Sequence, residues 1–289
     1  YYSKIKIISK FFLNRLKELF SYGSAFSVNK ILANIALQSD NFVIAKTLGT
    51  ISLGLYTRAY QIFTLPINII GQSLSKVLFS SFSRIKNDKL TITSLYKNMV
   101  CIVSVFSGPV TLFLFFSAND IVEVVLGNQW LKLVPALKVL ALSFYFRLGY
   151  KLADPLINAF GNIKLKAFYQ LIYASSVLIL GYFGSFYGIE GVAAGVGVSI
   201  FVYYILSTSL ILSYLKISMV TFLKLHKISL LITSINFIVF FNLKSSFYLG
   251  SSLYNLMLNM LILIFINLIL IYFLRNQIVQ HLTFTLSKF

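Results

Sequence analysis

The stretch "SFYFRLGYKLADP", residues 143–155, carries three charged side chains inside an apolar run that extends over residues 134–160. A run of this length can cross a bilayer as a helix, for which about 20 apolar residues suffice. Arg147, Lys151 and Asp154 are spaced i, i+4 and i+7, so they share one helix face, with Arg147 near the middle of the run. A charge at the centre of a membrane helix costs about 2.5–3.5 kcal/mol on insertion scales. We therefore expect this face to point into the protein.

Two interpretations of the charged face remain open. In the first, Arg147 forms an internal salt bridge with Asp154 or with a carboxylate on another helix. In the second, Arg147 and Lys151 form a cationic surface that lines a cavity for an anionic substrate.

The composition of the whole chain indicates a membrane protein. Of its 289 residues, 58% are hydrophobic and only 11% are charged, whereas soluble domains contain about 25% charged residues. The net charge of +18 is in the range of nucleic-acid-binding proteins. However, the Lys and Arg residues lie mostly in short connections between apolar runs, as in proteins oriented by cytoplasmic positive charge. Membrane lipids, not nucleic acid, are therefore the expected surroundings.

We predict an all-α polytopic membrane protein with a bundle of about eight transmembrane helices in residues 22–289. Residues 1–21 are predicted to form a basic amphipathic linker helix at the membrane interface, because apolar residues recur there at helical spacing beside lysines. The predicted spans are residues 24–48, 52–79, 95–117, 134–160, 165–187, 190–214, 228–243 and 252–274. Alternating the connections between the two sides puts most Lys and Arg on one side, so both ends of the chain are predicted to be cytoplasmic.

The connections between the predicted spans are short, so function is expected within or between the helices. Cys101 is the single cysteine, and the two histidines lie apart in the sequence, so no metal or cofactor is expected. No Walker sequence is present, which argues against ATP hydrolysis. The small residues of "GIEGVAAGVGVS", residues 188–199, predict a close helix–helix contact.

The first two predicted spans carry unusual residues for membrane helices. Lys30, Asn34, Gln38 and Asp40 make the first span polar, and a lipid-facing helix would not contain them. Lys30 and Asp40 lie near opposite ends, so snorkelling would relieve part of the cost of their charges. A buried Asp40 would take up a proton or pair with a cation as conformations exchange, or it forms a fixed ion pair with a neighbouring Lys or Arg.

Pro66 and Gly71 interrupt the second predicted span. Proline removes a backbone hydrogen bond and glycine weakens the helix, so a bend is expected in this segment. Bends of this kind recur where transporters line a cavity or pivot. We therefore predict a hinge at Pro66 and Gly71.

Three motifs together resemble a known family. They are "DNFVIAKTLGTISLGLYTRAYQIFTLP" at residues 40–66, "VLGNQW" at 125–130 and "ADPLINAFGN" at 153–162. The combination is similar to the second lobe of the bacterial polysaccharide flippases, the O-antigen and colanic-acid type exporters of the MATE-like superfamily. Ser80 stands where this family often has a proline, so a helix end or kink of the family is expected to be softer here.

The resemblance implies two lobes that rock to open a central cavity to either side of the bacterial cytoplasmic (inner) membrane. The chain would be the second lobe, and the first lobe would lie upstream. The implied function is export of a polyprenyl-pyrophosphate-linked oligosaccharide, a lipopolysaccharide O-antigen or capsule precursor, and not an enzymatic reaction. A polysaccharide polymerase and chain-length machinery are the further implied partners.

The resemblance also suggests roles for single residues. The cations Arg147 and Lys151 would bind the pyrophosphate, and Asn34, Gln38, Tyr145 and Tyr150 would contact sugar. Lys30 would be a further substrate-binding residue. Asp40, Asp154 and Arg58 would form ion pairs or couple transport to protons or sodium ions.

Two other functions compete with the flippase. A MATE-type multidrug exporter would carry organic cations, for which a basic central face is unsuitable. A membrane-embedded polysaccharide polymerase or ligase would need a large outer loop to hold the reacting sugars, and the predicted loops are short.

Overall fold

Backbone polar groups in a bilayer must be satisfied within the protein, and long apolar sequences meet this demand by forming helices. The computed structural model describes residues 13–85, 88–246 and 251–286, and over these residues every regular element is helical. The α-helices are α1 (Leu13–Thr47), α2 (Gly49–Ile85), α3 (Lys89–Phe116), α4 (Ala118–Leu126), α5 (Val134–Leu142), α6 (Phe144–Ala159), α7 (Ile163–Ser185), α8 (Gly188–Leu215), α9 (Met219–Leu225), α10 (Lys227–Ser246) and α11 (Ser252–Leu286). A 3₁₀ helix, Asn128–Leu133, connects α4 to α5. The predicted all-α fold is confirmed.

Several helices have the length and apolar character needed to cross a membrane. Among the described residues these are α3, α7, α8 and the Ser252–Leu270 part of α11. Helices α9 and α10, which meet at a bend of 40°, make a fifth if they count as one broken span. These helices correspond to five of the eight predicted spans. Helices α1 and α2 are 35 and 37 residues long but are more polar, and their membrane crossing stays a prediction.

Two predicted boundaries differ from the structure. Helix α1 continues without a break through residues 21–23, where the linker helix was expected to end, and residues 1–12 of that predicted linker lie outside the described residues. The predicted span 134–160 is two helices, because the chain tightens at Ser143. Both the backbone N–H and the hydroxyl of Ser143 donate to the carbonyl of Leu140, over 2.9 and 2.7 Å. Arg147 therefore lies in the first turn of α6 and not near the middle of one long helix.

Helix α6 occupies the interior of the bundle. It packs against α2, α8 and α3, whereas the next helix, α7, packs mainly against α8 and α1. The side chains between α2 and α6 include Phe63 and Phe144, which are fully buried and meet edge to face at 6.4 Å. Lipid tails are as apolar as these side chains, so close packing and polar contacts must hold such helices together. Arg147 of α6 is therefore enclosed by the helices around it.

Helices α7 and α8 approach closely at glycines, as the small residues of 188–199 predict. A Cβ atom added to Gly191 would collide with the carbonyl oxygen of Gly184, and one added to Gly184 would collide with that of Gly191. At Gly195 an added Cβ would lie 2.5 Å from the carbonyl oxygen of Leu180. The contact is therefore backbone against backbone, with no flexible side chain that could yield.

Replacing Gly191 with Leu should destabilise the protein, because the larger side chain must push α7 away from α8. Overpacking of this kind costs about 1–3 kcal/mol. The measurement is the thermal unfolding midpoint of the full-length protein in detergent. The control is Ala194→Leu, one turn away on the exposed side of α8. Equal midpoints for the two variants would contradict a tight α7–α8 contact.

Candidate functional site

Arg147 is buried without adequate partners for its charge. Its side chain is 5% exposed, and Nε and Nη1 have no hydrogen-bond partner within the part of the chain that the structure describes. The guanidinium lies over the rings of Tyr60 and Phe63 of α2, at 5.3 and 5.8 Å from their centroids. Such cation–π contacts are worth about 2 kcal/mol when desolvated. A buried donor without a partner costs about 1–3 kcal/mol, and more when it is charged. The two rings therefore stabilise the cation only in part.

Tyrosine hydroxyls complete the surroundings of this cation. Tyr60, Tyr150 and Tyr173 all lie close enough to interact electrostatically with Arg147. We call Arg147, Tyr60, Phe63, Tyr150 and Tyr173 the Arg147 pocket. A tyrosine hydroxyl can both donate and accept a hydrogen bond, and a guanidinium donates to phosphate or carboxylate oxygens. The arrangement therefore suits a phosphate group or another anion.

The structure separates Arg147 from the carboxylate proposed as its partner. Asp154 lies seven residues further along α6, about 10 Å at 1.5 Å per residue, and its Oδ2 is 3.4 Å from Nζ of Lys166 on α7. Of the partners considered in the first interpretation of the charged face, Asp154 therefore does not pair with Arg147 among the described residues. Arg147 is also enclosed within the bundle, so its role in lining an open cavity stays a prediction.

Lys151 reaches past α2 at a glycine. A Cβ atom added to Gly71 would lie 2.5 Å from Cδ of Lys151, so only glycine lets this lysine stem cross the helix. Lys151 itself is partly exposed, in contrast to the buried Arg147. Helix α2 continues through Pro66 as one element, and the proposed hinge at Pro66 and Gly71 stays a prediction.

Asp40 is the buried carboxylate of α1. It is 2% exposed, its Oδ2 accepts a hydrogen bond of 2.8 Å from the Tyr56 hydroxyl, and its Oδ1 accepts one of 2.8 Å from the backbone N–H of Asn41. Within the described ranges no basic side chain forms an ion pair with Asp40, so the fixed pair considered above is not found there. The ring of Tyr56 stacks on Tyr60 at 5.9 Å. Two tyrosines therefore connect Asp40 to the Arg147 pocket.

A continuous polar surface runs along the outside of α1 and α2. Asn41 donates to Gln38 over 3.2 Å, and Thr57 of α2 donates to Asn41 over 3.5 Å, so the two helices share this surface. Its residues recur at helical spacing and are exposed or partly exposed in the bundle. We call this set the polar face: Lys30, Asn34, Gln38, Asn41, Arg58, Gln61, Asn68 and Gln72. It contains three of the predicted substrate-binding residues, Lys30, Asn34 and Gln38.

Two other predicted site residues lie apart from the Arg147 pocket. The Tyr145 hydroxyl is 3.3 Å from Ser104 Oγ of α3, and its ring contacts His226 at 5.8 Å. Arg58 Nη1 donates to Gln61 over 2.9 Å, and its guanidinium lies over the ring of Trp130 at 5.9 Å. Tyr145 therefore faces α3 and α9. Arg58 contacts neither of the two carboxylates with which it was grouped.

Sequence reasoning missed the aromatic walls of the pocket. Tyr56, Tyr60 and Phe63 recur at i, i+4 and i+7 on α2, the same spacing as the three charges of α6. Two helices with matching stripes, one aromatic and one charged, are a signal that could have predicted their contact. Tyr173 and Tyr203 lie in longer apolar helices, where no comparable signal singles them out.

Comparison with known proteins gives consistent similarities. A family described as "Polysaccharide biosynthesis protein" matches residues 1–135. The chain is 29% identical over 170 residues to the teichuronic acid biosynthesis protein TuaB of Bacillus subtilis, covering 59% of this chain and 34% of TuaB. It is 26% identical over 133 residues to the succinoglycan biosynthesis transport protein ExoT of Rhizobium meliloti, covering 46% of this chain and 27% of ExoT.

The fold has a solved counterpart. The lipid II flippase MurJ, in an inward closed conformation, superimposes with a TM-score of 0.71 at 20% identity, over 86% of this chain and 53% of MurJ. The chain thus spans about half the length of that flippase and about a third of the curated relatives described above. These comparisons confirm the resemblance: the chain is similar to bacterial polysaccharide biosynthesis and transport proteins, and its helical bundle shares the fold of about half of MurJ.

Proposed function

We propose that the chain is the second lobe of a flippase that moves a polyprenyl-pyrophosphate-linked oligosaccharide from the cytoplasmic to the outer leaflet of the bacterial cytoplasmic membrane. The polar face of α1 and α2 is the observation that carries this proposal. Amides and cations on membrane helices are costly against lipid and are found where a helix lines water or meets protein. The polar face therefore borders a water-filled passage, with the other lobe on its far side.

The chemistry of the proposed substrate matches the polar face and the cations of α6. The amide side chains of the polar face, among them Asn34, Gln38 and Gln61, can donate to and accept from sugar hydroxyls. Arg147 and Lys151 supply cations for the pyrophosphate, and Lys151 extends past Gly71 of α2 toward the surface. The polyprenyl chain needs no binding site of its own, because it can remain in the bilayer while the head group moves.

The relatives support the same assignment. One is named for succinoglycan transport, another for teichuronic acid biosynthesis, and the protein of similar fold is a flippase for lipid II. Polysaccharide transport and lipid-linked substrates recur in these names. Both ends of the chain would lie on the cytoplasmic side, where most Lys and Arg residues are assigned.

Reconstitution of the full-length protein tests the proposal directly. Liposomes that carry a polyprenyl-pyrophosphate-linked oligosaccharide in both leaflets are treated with an enzyme that cleaves only the outer pool. With an active flippase, cleavage should proceed beyond the outer pool, and protein-free liposomes should retain the inner pool. A lengthened saccharide would identify a polymerase, and extrusion of ethidium without saccharide movement would identify a drug exporter. Either result would overturn the proposal.

A further inference from the structure

A partly buried polar cluster joins α6, α7 and α8 near the α6–α7 turn. Nζ of Lys166 lies 3.4 Å from Asp154 Oδ2 and donates to Asn158 Oδ1 over 3.2 Å. The hydroxyl of Tyr203 donates to Asp154 Oδ1 over 3.1 Å. Lys166 is 8% exposed, although it is only the fourth residue of α7. We call Asp154, Asn158, Lys166 and Tyr203 the Lys166 cluster.

The cluster connects two helices that otherwise touch little. Helices α6 and α7 follow each other through a turn at Gly161, where φ is +77°, but α6 packs on α2 and α7 packs on α1. Both also pack on α8, which carries Tyr203. Among the described residues the Asp154–Lys166 contact is the ion pair that bridges α6 to α7. Its loss would remove the charged contact between these two helices and leave them joined mainly through α8.

The Arg147 pocket takes its walls from both of these helices. Tyr150 belongs to α6 and Tyr173 to α7. The ring of Tyr203 lies against both, at 5.0 Å from Tyr150 and 5.2 Å from Tyr173. The same side chain therefore bonds to the ion pair through its hydroxyl and packs on the pocket through its ring. Movement of α7 away from α6 would uncover the unpartnered nitrogens of Arg147.

We propose that Asp154, Lys166 and Tyr203 form a latch that keeps the Arg147 pocket closed, and that a phosphate-bearing substrate opens it by drawing Lys166 away from Asp154. A pyrophosphate carries more charge than one carboxylate, so it competes effectively for the lysine. When the ion pair opens, Lys166 no longer holds the Asp154 carboxylate in place, the hydrogen bond from Tyr203 to Asp154 breaks, and the pocket walls then separate. The substrate trigger rests on the proposed flippase function, whereas the latch itself is a property of the bundle.

A cysteine on the buried face of α7 can report the opening. Gln170, which is 6% exposed, lies one turn after Lys166 and one turn before Tyr173 and Ala174. The full-length protein receives Gln170→Cys, with Cys101→Ser and its remaining cysteines replaced. It is purified in nanodiscs, so that a charged maleimide reaches both membrane faces. The rate of labelling then measures how often α7 leaves its neighbours.

Breaking the latch should accelerate labelling of the cysteine at 170. Asp154→Asn and Lys166→Gln should each raise the rate about tenfold, the effect of a tenfold larger open population. The matched controls are Glu190→Gln on α8 and Lys164→Gln on α7, which remove exposed charges of the same kinds. Both controls should label at the parent rate. Unchanged rates in the two latch variants would overturn the proposal.

The exchange of charges separates a latch from a merely structural ion pair. Asp154→Lys combined with Lys166→Asp should restore slow labelling, because the pair can form in the opposite sense. If the single variants do not accumulate, this double variant decides the question. A double variant that accumulates and labels slowly supports the latch, and one that is absent from the membrane contradicts it.

Inorganic pyrophosphate tests the trigger without any transport assay. Added to the Gln170→Cys protein, it should accelerate labelling relative to chloride at equal ionic strength. The same addition should have no effect on the Lys166→Gln variant. If labelling does not accelerate in the parent, the substrate trigger is wrong. Failure of the flippase proposal would appear separately, as absent saccharide movement in liposomes with a normal labelling response.

Discussion

Replacing Arg147 with Gln is expected to reduce movement of the lipid-linked saccharide by the full-length protein at least about thirtyfold, because a desolvated charged partner contributes about 2–5 kcal/mol. Arg147 is a buried cation of α6, and two of its nitrogens have no hydrogen-bond partner among the residues that the structure describes. Gln is polar and of comparable length but cannot neutralise a pyrophosphate. The measurement is the rate of saccharide cleavage in the liposome assay. The control, Lys46→Gln, removes an exposed cation from α1 and should leave the rate unchanged.

Protein stability distinguishes a substrate contact from a structural one. In this structure Arg147 has cation–π contacts with Tyr60 and Phe63 but forms no ion pair with any described residue. Its replacement removes these stabilising contacts and also removes the cost of an uncompensated buried charge, so the two effects on the free energy of unfolding offset each other. The unfolding midpoint of Arg147→Gln should therefore stay close to that of the parent. A variant that is lost from the membrane, or one that transports normally, would contradict the assigned role.

The sequence predicted the fold class well because the bilayer leaves few choices. Long apolar runs had to become helices, and the small residues near Gly191 had to permit a close contact. Breaks within the apolar runs were predicted poorly. Helix α1 passes through "SYG" without interruption, whereas the interruption at Ser143 depends on side-chain and backbone hydrogen bonds to Leu140. Such local bonding does not alter the hydropathy pattern from which spans are predicted.

In the candidate site, too, the sequence pattern predicted burial better than it predicted which side chains contact each other. The cost of charge at depth correctly placed Arg147 inside the protein. The same argument does not predict the ion-pair partner of Asp154, because Lys166 becomes its neighbour only when the chain turns at Gly161. Asn34 and Gln38 were expected to avoid lipid, and they are exposed on the bundle surface instead of being enclosed by it. A second lobe packed beside α1 would cover these side chains. The sequence pattern of one helix does not show whether such a lobe is present.

The polar face and the Arg147 pocket differ in their exposure: the polar face is accessible in this structure, whereas Arg147 is buried. Residues of the polar face can meet sugar without any rearrangement of this bundle. Arg147 can meet pyrophosphate only after α2, α6 or α7 moves. A transport cycle with these parts would begin with contact between sugar and the polar face and continue with exposure of the buried cation, so the anion is bound only when the saccharide is already in place.

Replacing Asp40 with Asn is expected to uncouple transport from the proton gradient. The amide oxygen of Asn can still accept the hydrogen bond from Tyr56, so the contact between α1 and α2 is retained. The variant lacks the group that could bind and release a proton. One charge moved through 100 mV is worth about 2.3 kcal/mol, which corresponds to a rate change of several tens-fold. Saccharide movement is measured in sodium-free liposomes with and without an imposed proton gradient.

The parent protein should respond to the gradient, and Asp40→Asn should transport slowly under both conditions. Tyr56→Phe is the matched control. It removes the hydrogen bond of 2.8 Å but leaves the carboxylate of Asp40 ionisable, so the response to the gradient should persist. An Asp40→Asn protein that responds to the gradient as the parent does would eliminate Asp40 as the coupling residue. A parent protein that responds to sodium but not to protons would assign the same carboxylate to a sodium ion instead, because among the described residues no basic side chain lies within ion-pair distance of Asp40, although Arg147 interacts with it electrostatically.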